Sequence, residues 1–192
     1  MKTLLLMLLI LPVIASAQTD QLVFFTGSPS APDLTPELFT SAPFEQVELH
    51  FGILNPSQTC VSGFETVAPI TGSLVAPMWT IFACGANPEC SVPPLELSFL
   101  ECDPVGPDPI YQLGTLSFFV QSPATPVQFF FGPVPGSTIF PDSPGYISDL
   151  PYIATPLTTI QGTDWDLPVF SINVMTVAEE DCTWSTVKTL YR

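Results

Sequence analysis

Five cysteines, one histidine and eighteen carboxylates are the residues of this 192-residue chain whose types could do chemistry. A zinc site would need clustered thiolates and imidazoles, commonly as close Cys-x-x-Cys pairs. No such pair occurs, and the sole histidine, His50, lies far in sequence from every cysteine except Cys60. Disulfides are therefore the expected use of the cysteines. Cys84 and Cys90 bracket Gly85-Ala86-Asn87-Pro88-Glu89, a loop short enough to turn back on itself. Cys60 and Cys102 form the natural second pair, which leaves Cys182 as a free thiol.

The carboxylates offer two loops. Glu101, Asp103 and Asp108 lie close together in Glu101–Asp108, and gathered oxygen donors suit Ca²⁺, although the spacing is not that of an EF-hand. Ca²⁺ is the one cofactor the sequence suggests. Asp164-Trp165-Asp166 sets an aromatic between two acids, the pairing of flat apolar face and hydrogen-bonding groups that a sugar ring requires. Nucleophilic catalysis finds little support. A Ser-His-Asp triad would have to use His50, no Gly-x-Ser-x-Gly elbow is present, and Ser185-Thr186-Val187-Lys188 lacks its K-T-G partner. A carboxylate pair for glycoside hydrolysis depends on a separation in space that spacing along the chain does not reveal. The expectation is a protein without catalytic activity, with a hydrolase as third alternative.

The elements that must position these groups begin after a leader. Lys2, the apolar run Leu4–Ile14 and Ala15-Ser16-Ala17 have the form of a secretory signal peptide, Met1–Ala17. That run is too short to span a bilayer, and no later run approaches the roughly 20 apolar residues of a membrane-spanning helix. Outside the leader the only cations are Lys188 and Arg192, against all 18 acids. Such a surface repels phosphate backbones, so neither a nucleic-acid partner nor membrane insertion is expected. The expected location is extracellular or at the cell surface, with the periplasm as alternative.

Between residues 18 and 178 the chain reads as one all-β domain. The chain's 46% hydrophobic content can supply a core, and the 22 prolines outside the leader mark turns and strand ends. The organising stretch is Ile110–Gly132, in which Leu113–Val120 and Val127–Phe131 flank Ser-Pro-Ala-Thr-Pro. It reads as a central β-hairpin with Phe118 and Phe130 in the core. Phe44–Leu54 alternates cleanly, with Val47, Leu49, Phe51 and Ile53 on one face and Glu48 and His50 on the other. Further strands are expected at Leu22–Phe25, Cys60–Val67, Ser73–Phe82, Leu95–Cys102, Thr138–Phe140, Tyr152–Ala154, Leu157–Ile160 and Val169–Val177. Many short strands with Pro and Gly turns predict a two-sheet antiparallel β-sandwich, Ig-like or jelly-roll-like. Residues 179–192 read as a tail with a short helix, because Trp184, Val187 and Tyr191 share one helical face and acids precede cations along it.

The succession VELHFGILN, VSGFE and LGTLSFFV resembles the bacterial cohesin-like and immunoglobulin-like β-sandwiches over roughly Leu22–Phe131. That resemblance implies a sandwich used for extracellular binding, adhesion or surface assembly, its partner a protein or a glycan. The ending is similar to the W-x-x-[VI]-K-x-L-Y-R close of a group of secreted bacterial proteins. Trp184, Lys188 and Arg192 would then be read by an export or anchoring partner. A carbohydrate-binding module using Asp164, Trp165 and Asp166 is the alternative.

Overall fold

The computed structural model describes residues 20–82, 95–149 and 152–174. Strands are numbered in chain order. The alternating stretch forms β4 (Glu45–Leu54), and Val47, Leu49, Phe51 and Ile53 are buried on one side of it as their spacing requires. It pairs antiparallel with β1 (Gln21–Ser28) on one flank and β9 (Ile110–Val120) on the other. The strands β2 (Ala31–Asp33) and β7 (Leu74–Ile81) complete a five-stranded sheet in the order β2-β1-β4-β9-β7. The expected run of strands from residue 22 to residue 82 is largely present.

Two four-stranded sheets cover the inner face, so the expected pair of sheets is a set of three. One runs β3 (Glu37–Leu38), β13 (Phe170–Ile172), β10 (Val127–Phe129), β6 (Ile70–Thr71). The other runs β12 (Tyr152–Pro156), β11 (Gly145–Asp149), β5 (Cys60–Thr66), β8 (Leu95–Pro104). A single residue pair, Val67 with Gly132, exchanges two 3.0 Å backbone hydrogen bonds just beyond β5. Pairing is antiparallel throughout these ladders except between β13 and β3. The architecture is all-β and consistent with a sandwich. No helix among the described residues is long and apolar enough to cross a membrane. The helix expected in residues 179–192 lies outside them.

The core is one cluster fed by all three sheets. Phe24 of β1 stacks on Phe131 with centroids 4.4 Å apart, and Phe51 meets Trp79 edge-on at 5.5 Å. Gly114 on β9 is required by this packing, because a β-carbon there would collide with Thr80 O and the Phe51 ring.

The central hairpin is not formed. β9 lies in the five-stranded sheet between β4 and β7, whereas β10 pairs with β13 and β6 in another sheet. The segment 121–126 crosses from layer to layer, and Pro123 and Pro126 fit a crossing because neither can donate to a ladder. The two apolar runs consequently face each other through the core: the rings of Phe118 and Phe129 are 5.6 Å apart. Period-2 alternation then buries Phe129 and Phe131 and leaves Phe130 only half-buried, the reverse of the expectation for Phe130.

Three smaller expectations also fail. Thr138–Phe140 is a turn, in which Ser137 Oγ accepts the Ile139 and Phe140 amides at 3.2 and 3.0 Å. Leu157–Ile160 contributes only isolated bridges, Thr158 to Gln21 and Thr159 to Gly162. The last strand is confined to Phe170–Ile172 within the described residues, and Val169 to Asn173 are buried without alternation. Ser171 and Asn173 tolerate this because backbone and side-chain partners surround them, including Thr40 on Asn173. β11 was not expected at all, since its sequence Gly145-Tyr146-Ile147-Ser148-Asp149 sits between prolines and reads as loop.

Candidate functional site

Directly paired residues of an antiparallel ladder point to the same face, so the registers define the outer surface of the five-stranded sheet. One row across it is Val75–Phe119–Gln46, the next Met78–Ser117–Glu48, and the third Thr80–Thr115–His50–Phe25. At the β1 end this face is covered: Val23, Phe25 and Ile110 form a small second cluster with Leu34 and Leu54. At the β7 end no described residue covers it. Met78 and Phe44 are each 61% exposed, Phe82 is 54% exposed, and Val75 and Phe119 are more than a third exposed. Phe44 belongs with them, because its amide donates to Val120 O at 2.8 Å, at the end of β9.

Local chemistry holds these side chains out. Ala76 adopts φ 50°, and Ala76 and Pro77 together oppose one residue of β9, a bulge that breaks the pairing between Val75 and Met78. Pro77 lacks an amide donor, so the outer edge of β7 is a poor template for another strand. What β7 offers is its face. Phe44, at φ 56°, ends a turn tied down by Glu45, whose Oε2 accepts the Ser41 amide at 2.7 Å and the Ala42 amide at 3.2 Å. Those bonds, the Ser41 amide first, lower the Glu45 carboxyl below its ordinary pKa.

Behind the apolar end stands a polar group. Gln112 Nε2 donates to His50 Nδ1 at 2.7 Å, which leaves the proton on Nε2, 3.6 Å from Glu48 Oε1. The ring lies 5.3 Å from Phe25, and His50, on the face expected for it, is half-buried. Ser117 Oγ donates to Glu48 Oε2 at 3.4 Å. The carboxylate thus stands between hydroxyl and imidazole, whereas a triad needs the imidazole between hydroxyl and carboxylate.

A second location uses the sugar-like motif. Glu65 and Val67 share the face of Gly132, and the Trp165 Cβ lies 4.0 Å from where a Gly132 side chain would begin. Trp165 is half-buried there, while Asp164 and Asp166 are exposed, Asp166 N donating to Asp164 Oδ1 at 3.2 Å within the turn. Nearby, Ser137 Oγ donates to Glu65 Oε1 beside a hollow of about 250 Å³ lined by Val134–Ile139.

The remaining expected residues scatter. Cys60 and Cys102 are joined in a disulfide with Cα atoms 5.5 Å apart. Asp103 is exposed and accepts the Tyr111 hydroxyl at 2.7 Å, Asp108 is exposed, and Glu101 lies on β8 where only the backbone is described. Among the described residues no three His, Cys, Asp or Glu converge as metal ligands. Cys84, Cys90, Cys182, Trp184, Lys188 and Arg192 lie outside the described residues.

The apolar face on β7 and β9 was not anticipated as a site. Its one signal in sequence was Pro77 inside Leu74-Val75-Ala76-Pro77-Met78-Trp79, since proline within an apolar strand marks an edge. Comparison with protein-family models, with curated proteins and with solved structures finds no match to this chain.

Proposed function

We propose that the protein is a secreted, non-catalytic binding module, working outside the cell or at its surface, that docks a protein partner on the outer face of β7 and β9. The observation that carries this reading is the cluster of Phe44, Val75, Met78, Phe82 and Phe119, exposed together on a chain of net charge −15. Large apolar side chains gathered at one end of a sheet lose hydration cost only when something covers them. The leader Met1–Ala17 and the Cys60–Cys102 bridge support an oxidising, extracellular setting.

The test is fractionation of a culture that secretes the protein into cell-bound and medium fractions. Met78→Ser with Phe119→Ser should shift the protein from the cell-bound fraction to the medium while its melting temperature changes little. An unchanged distribution would remove the reading. A second reading, glycan binding, is favoured by the half-buried Trp165, whose Cβ lies near Gly132, flanked by the exposed Asp164 and Asp166. It predicts glycan-array binding that Trp165→Ala abolishes and the Met78/Phe119 variant leaves intact.

A further inference from the structure

We propose that residues 183–192 of the same chain bind the β7–β9 face in cis, so that a partner must displace them; this rests on the reading of that face as a docking surface. Three observations converge on this occupant.

The first is where the chain is delivered. Asn173 is pinned by Thr40, whose amide donates to its Oδ1 at 2.9 Å, and its own Nδ2 donates to Ser122 O at 3.4 Å. Ser122 lies two residues beyond Val120, the residue that pairs with Glu45 and Leu74 and accepts the Phe44 amide. The described chain therefore ends, at Val174, in the layer that covers the inner face, close to the Val120 end of β9 where Phe44 lies. From there the chain must round the sheet to reach the outer face, and the eight residues 175–182 can span up to about 26 Å at about 3.3 Å each. A short tether makes the encounter intramolecular and raises the effective concentration of the segment at the face.

Charge is the second observation. Residues 20–174 contain no lysine or arginine, and outside the leader Lys188 and Arg192 are the only cations. Glu48, 56% exposed at the side chain, stands one strand behind the apolar end, in the row of Met78 and Ser117. A second copy of so acidic a body is repelled from this face, whereas the cationic segment is drawn to it.

The third is side-chain chemistry. Trp184, Val187, Leu190 and Tyr191 alternate with or adjoin the two cations. They offer apolar surface for Phe44, Val75, Met78 and Phe119 and charge for Glu48. Pro77 and the adjoining bulge disfavour simple strand addition at this edge, so binding is through side chains on the face.

The experiment uses the full chain with a photoreactive benzoylphenylalanine in place of Tyr191. Irradiation should give intramolecular crosslinks, at monomer mass, to peptides containing residues 74–82 or 115–120. The yield should fall at least about threefold when ionic strength rises from about 0.1 M to about 1 M, where the screening length drops from about 10 Å to about 3 Å. Lys188→Glu with Arg192→Glu, and separately Met78→Ser with Phe119→Ser, should reduce it similarly without lowering the melting temperature. Crosslinks elsewhere on the chain, crosslinks at dimer mass, or none at all would each overturn the proposal. Fractionation separates this from failure of the underlying reading. The Lys188/Arg192 variant should become more cell-bound if the segment occludes the face. Lost crosslinking with cell association still dependent on Met78 and Phe119 sinks the segment alone.

Discussion

The hydroxyl of Tyr146 donates to Asp20 Oδ1 at 2.6 Å, joining β11 to the residue just before β1 across 126 positions of sequence. Tyr146 is fully buried, and the same oxygen accepts the Gln58 amide at 3.2 Å, while Asp20 Oδ1 also accepts the Ser57 amide at 2.8 Å. One phenol and one carboxylate thereby gather the start of β1, the turn before β5 and β11. Tyr146→Phe keeps the ring but strips a donor from Asp20 and an acceptor from the Gln58 amide. Leaving buried polar groups unpaired costs about 1–3 kcal/mol. Urea unfolding should show that loss, and a change near zero would mean that water replaces the hydroxyl.

Alkaline pH should act through the same residue and through Tyr111. Burial first, then the hydrogen bond to Asp20, holds the Tyr146 phenol above its ordinary pKa; burial and Asp103 do the same for Tyr111. The folded state thus keeps protons that the unfolded chain releases near pH 10. The stabilisation is complete below that pH and is lost as pH rises above it, toward the raised folded values. Unfolding midpoints measured from about pH 8 to about pH 11 should therefore fall at the alkaline end. The fall should be shallower in Tyr146→Phe, and an identical slope in both proteins would exclude Tyr146 as its source.

The Cys60–Cys102 bridge ties β5 to β8 across a sequence separation of 42. For a loop of that length the chain-entropy relation gives a stabilisation of about 4 kcal/mol. Reductant, or Cys60→Ser with Cys102→Ser, should lower the melting temperature by many degrees, and EDTA should lower it far less. A larger effect of EDTA would point to a structural cation, with Asp103 and Asp108 the first positions to substitute.

Phe118 and Phe130 should now behave differently. Phe118→Ala opens a cavity opposite Phe129 and should cost about 3–5 kcal/mol. Phe130, half-buried beside two buried phenylalanines, should cost much less, and Phe129→Ala should resemble Phe118→Ala. Equal losses at Phe129 and Phe130 would contradict the alternation assigned to β10.

What the sequence by itself determined was local. Period-2 alternation in Phe44–Leu54 named the buried side of β4 correctly because side-chain direction in a strand depends only on parity. The Cys60–Cys102 pair was legible from elimination among few partners. Strand partnership was a different matter. Two apolar runs joined by a short loop can lie side by side or face each other through a core, and both place apolar side chains inside. The choice fell to the layers: β4 and β7 flank β9, and β13 and β6 flank β10, so Leu113–Val120 and Val127–Phe131 stack across the core. β11 escaped notice because its strand character comes from pairing with β5 and β12 and from the buried Tyr146–Asp20 bond, none of which is local. Apart from Pro77, the exposed face left no mark in the sequence for the same reason. Val75, Met78 and Phe119 look like any core residues in a linear string, and only β7's position at the end of the sheet leaves them uncovered.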